Sequence, residues 1–109
     1  MRTLKFIVDG QVIKQDPSCN FEGLVPGSEG YLQAEFILSS EWRDAAIVAS
    51  FWSMLGKEYK PQKVKPNGNC IIPAEALKRR VFKIMLIGQT RNGTKLMTNK
   101  VDVCQNGGK

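Results

Sequence analysis

The sequence predicts an all-β fold: one antiparallel β-sandwich over residues 1–109, with a single short helical crossover near residues 73–80. Three observations carry this. Apolar residues recur at every second position in several separate runs, the period of strands buried on one face. Turn-forming pairs, Asp9-Gly10, Asn67-Gly68 and Asn92-Gly93, punctuate those runs at hairpin spacing. The clearest helical signal is a one- to two-turn stretch after Pro73, too short to stand alone.

Taken in order, "LKFIV" places Leu4, Phe6 and Val8 on one face of a first strand. The turn at Asp9-Gly10 leads into "QVIKQ", a short return strand or a continuation. Residues 16–30 are rich in Pro, Gly, Ser and Asn, which predicts a long surface connection with Phe21 and Leu24 tucked onto the core. "YLQAEFILS" carries the strongest alternation, Leu32, Ala34, Phe36 and Leu38 against Tyr31, Gln33, Glu35 and Ile37. "SSEWRD" ends it, and the large apolar Trp42 among polar neighbours is expected to fold back over the end of the core.

"AAIVASFWSML" (45–55) is apolar on both faces, and its β-branched and aromatic middle predicts a central strand. The following segment spaces Lys57, Lys60, Lys63 and Lys65 around Pro61 and Pro66. Proline cannot donate to a ladder and lysine blocks pairing between sheets, so an edge strand is expected there. "CII" predicts a short strand. Pro73 suits a first helical position, Glu75 the first turn, and Lys78, Arg79 and Arg80 the last turn, where cations complement the helix dipole. "VFKIMLIG" is a further strand, with Phe82, Ile84 and Leu86 on one face. After the Asn92-Gly93 turn, "KLMTNKVDVCQ" predicts a last strand with Met97, Val101 and Val103 facing in.

The chemistry on offer is narrow. A hydrophobic content of 42% in 109 residues suffices for one core, and no run approaches the length of a membrane span. The start "MRTLKFIVDG" lacks the long apolar region and small-residue cleavage site of a signal peptide, so synthesis in the cytosol is expected. Cys19, Cys70 and Cys104 form no CxxC pair, which points to buried or half-buried free thiols and away from zinc or redox chemistry. The chain has no histidine, and its ten carboxylates fall into no DxD, ExxE or calcium-loop spacing. No catalytic residue, metal ligand or cofactor site is therefore expected. The net charge of +6 permits an anionic partner. There is, however, no recognition helix and no aromatic-basic platform, so the lysines are expected to guard an edge and to leave nucleic acid unbound.

Three stretches, "YLQAEFILSSEW" (31–42), "CIIPAEALKRRVFKIMLIG" (70–88) and "TNKVDV" (98–103), resemble a small immunoglobulin-like β-sandwich family. That family occurs in structural proteins of tailed phages that infect Gram-positive bacteria. In it, an alternating strand ends in a Trp-bearing turn, an Ile-Pro and a helical turn precede a strand, and a Thr-Asn opens the last strand. The resemblance spans roughly residues 3–104 and rests on packing and turn motifs. It implies a non-enzymatic phage or prophage structural protein that docks onto other tail, baseplate or fibre proteins of the virion. It also implies several copies in a homo-oligomeric assembly, location in the virion and, during assembly, in the host cytoplasm, and no membrane partner. The alternative is a small phage-encoded binder or inhibitor of a host protein. Interface candidates are Tyr31, Trp52, Tyr59 and Lys60; Phe36, Trp42 and Phe82 are expected in the structural core.

Overall fold

The computed structural model describes residues 1–107 and shows two packed sheets, an all-β sandwich. The first sheet has the order β2-β1-β3-β6, with β1 Arg2–Asp9, β2 Val12–Gln15, β3 Leu32–Leu38 and β6 Asn69–Ile71. The second runs β5-β4-β7-β8, with β4 Ala46–Ser53, β5 Gln62–Lys63, β7 Val81–Gln89 and β8 Lys95–Met97; β9, Val101–Cys104, also pairs with β7. One four-residue helix, α1 Ala74–Leu77, carries the chain from the first sheet to the second.

The core lies between the sheets and is built by the predicted alternation. β1 sends Leu4, Phe6 and Val8 inward, and β3 sends Leu32, Ala34 and Phe36. Facing them are Ala49 and Phe51 of β4 and Phe82, Ile84 and Leu86 of β7. Phe6 stacks on Phe36 with ring centroids 5.6 Å apart and meets Phe21 edge-on at 5.4 Å. The long 16–31 connection is thus held by Phe21 and by the buried Leu24.

Trp42 closes one end. The 3-10 turn Ser40–Trp42 folds its ring over the core, where it is 2% exposed, and its Nε1 donates to the Gly10 carbonyl at 2.8 Å. The ring packs against Gly88, where an added Cβ would stand 2.7 Å from it. A glycine inside β7 is therefore required by close approach.

Four expectations need correction. The sandwich is not wholly antiparallel: β1 and β3 pair in parallel, Arg2 opposite Leu32 through Val8 opposite Leu38. A parallel pair needs a long crossover, and the 16–31 connection with the β2 hairpin supplies it. The strand read over 45–55 ends at Ser53, because Met54, Leu55 and Gly56 form a turn. Pro73 caps α1 from outside at φ −66° and ψ 146°, and Lys78, Arg79 and Arg80 follow the helix without belonging to its last turn. The last strand is split, and Met97 faces outward at 39% exposure.

That split is a bulge. Ile87 pairs with Met97 and Ile84 with Val101, so residues 98, 99 and 100 oppose residues 85 and 86 alone. The extra residue lets Thr98 turn inward, where its Oγ1 accepts from the Leu86 N–H at 3.0 Å. It also aims Asn99 across the gap to β2. There Asn99 Oδ1 accepts from the Ile13 N–H at 2.8 Å, Nδ2 donates to the Ile13 carbonyl at 3.2 Å, and the Asn99 N–H donates to Gln11 at 3.1 Å. One side of the sandwich is sealed this way. On the other, the Lys65 N–H donates to the Asn69 carbonyl at 2.9 Å where β5 passes into β6.

The chain that leaves α1 is tied to the C-terminal strand. Gln105, fully buried, donates through Nε2 to the carbonyls of Leu77 and Arg79 at 3.0 and 2.8 Å, satisfying groups that a helix end leaves orphaned. The Arg79 Nε donates to the Tyr59 hydroxyl at 3.3 Å.

Candidate interaction surfaces

β4 is apolar on both faces, and only one face meets the core. Its outward positions are Ala46, Val48, Ser50 and Trp52, beside the outward Val81, Lys83, Met85, Ile87 and Gln89 of β7. Register aligns Val48, Ile87 and Met97 in one row, with Lys63 of β5 at its end. Met85 lies opposite Ser50 in the next row, and Trp52 opposite Lys83 in the one after. Sandwich strands ordinarily alternate apolar inside with polar outside. Here the outer face of the second sheet keeps an apolar band of Val48, Ile87 and Met97, with Met85 (6% exposed) and Ser50 (0% exposed) buried beneath it.

Charged groups frame the band. Lys83 pairs with Asp102 at 2.7 Å on one side. The Lys100 ammonium sits 3.7 Å from the centroid of the half-buried Trp52 ring, a cation–π contact. Trp52 Nε1 has no acceptor among the described residues. Beyond Trp52, the β4 turn presents Met54 and a Leu55 that is 98% exposed. This tip is held in shape: the Ser53 N–H donates to the Lys57 carbonyl at 2.8 Å, and Ser53 Oγ accepts from the Lys57 N–H at 3.0 Å.

At the opposite end of the band opens a groove of about 1130 Å³, running between the 3-10 turn, β5 and the β7–β8 hairpin. Val48, Ile87 and Gln89 contribute to its wall, and its rim carries Arg43, Lys63, Lys65, Arg91 and Lys95 against a single carboxylate, Asp44. Asp44 takes φ 62°, a left-handed conformation that Asp tolerates better than most residues, as the chain turns into β4.

The four interface candidates separate in space. Trp52 lies on the outward face of the second sheet, half-buried. Tyr31, 51% exposed, precedes β3 on the outward side of the first sheet, so the two share no surface. Lys60 is exposed between β4 and β5. Tyr59 is not an interface residue in this fold: it is 6% exposed, packed in the core, with its hydroxyl on Arg79. Its alternation with exposed neighbours put it inward, because its N–H pairs with the Phe51 carbonyl at 2.8 Å. Phe36, Trp42 and Phe82 are all core residues, as expected. Of the four lysines read as an edge guard, Lys63 lies on β5, the two-residue edge strand of its sheet.

Sequence reasoning missed Met54-Leu55 and the outward Met97. For the first pair the signal was present: two apolar residues directly before Gly56 and Lys57 mark a turn better than a strand end. For Met97 no local signal existed, because the bulge that reverses its direction depends on Thr98 finding Leu86 across the sheet.

Among the described residues no cluster of three His, Cys, Asp or Glu side chains could hold a metal ion, and no helix is long and apolar enough to cross a membrane. Comparison with family models, with curated proteins and with solved structures finds no match to this chain.

Proposed function

We propose that the chain is a non-enzymatic structural module of a tailed-phage particle, present in several copies, that docks onto other virion proteins through the outer face of its second sheet. The observation that supports docking is the band of Val48, Ile87 and Met97, apolar on a face the core does not use and framed by lysines. An apolar centre with a polar rim is the usual anatomy of a protein interface. The setting in a phage particle rests on the sequence resemblance of residues 31–42, 70–88 and 98–103. A rigid sandwich suits such use, since one patch serves every copy in a symmetric assembly.

Mass spectrometry of purified particles from the phage or prophage that encodes the chain tests the setting. Several copies per particle are expected. Absence from intact particles, with the chain abundant in the lysate, overturns the reading and favours a binder of a host protein. Met97→Glu tests the face: it should block incorporation while leaving the fold intact, whereas Ile37→Glu, on the outer face of the first sheet, should not.

A further inference from the structure

We infer that the groove at the end of this face receives an extended acidic segment of a partner protein. The inference rests on the docking reading and adds to it the chemistry of the partner.

Five cations converge there from four parts of the chain. Arg43 follows the 3-10 turn, Lys63 and Lys65 come from β5 and its exit, Arg91 from the β7–β8 loop, and Lys95 from β8. One carboxylate, Asp44, stands among them. No ion pair among the described residues engages any of the five; the pair found there joins Lys83 to Asp102. Their field is thus left for a ligand, and within a Debye length of about 8 Å such charges act on it together.

The groove also contains aliphatic groups between the cations, chiefly Val48, Ile87 and Pro66. A peptide with carboxylates interspersed among apolar side chains matches both features. Nucleic acid matches less well. Single strands are held by aromatic platforms, and the one aromatic at this groove, Trp42, is 2% exposed with its ring committed to Gly88. Duplex DNA is read by an element that enters a groove, and α1 has only four residues. The lysines that keep a neutral edge strand from pairing at β5 are complementary to an acidic one.

The test compares two variants with equal loss of net charge. Lys63→Glu/Lys65→Glu/Arg91→Glu reverses the groove, and Lys14→Glu/Lys57→Glu/Lys78→Glu reverses three lysines outside it. Each is titrated with a short oligo-glutamate peptide and with random single-stranded DNA, at low and physiological salt. The expected result is that the wild type binds the peptide, with amide NMR shifts confined to the groove. The groove variant should then lose about tenfold or more in affinity, and the control variant should keep it. If the triple groove variant fails to fold, Arg91→Glu/Lys95→Glu on the β7–β8 hairpin replaces it. No peptide binding at low salt, equal losses in both variants, or tighter groove-dependent binding of DNA than of peptide would each overturn the inference. If it fails while Met97→Glu still blocks incorporation into particles, the docking reading stands without an acidic partner.

Discussion

The side-chain amide of Asn99 holds both backbone groups of Ile13, accepting from its N–H at 2.8 Å and donating to its carbonyl at 3.2 Å. Asn99 thereby stands in for a neighbouring strand along β2, the free edge of the first sheet. Gln11 and Gln15 reinforce the join by donating to the carbonyls of Met97 and Asp102 at 3.2 and 3.0 Å. Two sheets that share no backbone ladder are stitched along one side by three amides.

Asn99→Ala should therefore cost about 1 to 3 kcal/mol, since it leaves a partly buried donor and acceptor of Ile13 without partners. Asn99→Asp should also destabilise, because a carboxylate can accept from the Ile13 N–H but offers nothing to its carbonyl. Urea denaturation measures both. A loss below about 0.5 kcal/mol in either variant, the ordinary range of surface substitutions, would show that the stitch is dispensable.

Trp42 and Gly88 predict opposite lesions at one site. Trp42→Ala empties a large aromatic site and should cost about 3 to 5 kcal/mol. Gly88→Ala adds a methyl 2.7 Å from the Trp42 ring and should cost about 1 to 3 kcal/mol by overpacking. The double variant should lose less than the sum, because the cavity removes the clash. Strict additivity would mean that the two residues do not press on one another.

The three cysteines are free thiols of unequal access: Cys70 buried, Cys19 half-buried and Cys104 exposed, the last against the expectation of burial. A disulfide reagent at mildly alkaline pH should modify Cys104 first and reach Cys70 only on unfolding. Burial pushes the Cys70 thiol from 9.0 up to about 11, partly opposed by Lys65. The folded state thus favours the neutral thiol. That contribution is whole below about pH 9 and is lost as pH rises toward 11. The wild type should lose roughly 2 kcal/mol more than Cys70→Ala over this window. Parallel stability curves for the two proteins would contradict the assignment.

Much of this protein was legible in its sequence because strand alternation and turn chemistry are local. The period-2 pattern of residues 4–8 and 32–38 sorts inner from outer residues, and Gly10, Gly68 and Gly93 each supply the positive φ their turns require. The burial of Phe36 and Phe82 follows from the same pattern, and that of Trp42 from a large apolar ring set in a polar turn; the central place of β4 follows from its apolar middle. Other features are absent from any local window. The parallel pairing of β1 with β3 depends on the path of a connection whose composition says only that it is long. The bulge at residues 98–100 follows from Thr98 bonding Leu86 and Asn99 bonding Ile13, contacts 12 and 86 residues apart. The apolar character of β4 on both faces could be read, but whether a helix or loop covers its outer face is decided by topology. Likewise, no local window links Arg43, Lys63, Lys65, Arg91 and Lys95. Strand pairing alone brings them around one groove, because β4 and β7 place the 3-10 turn, β5 and the β7–β8 hairpin at the same end of the sheet.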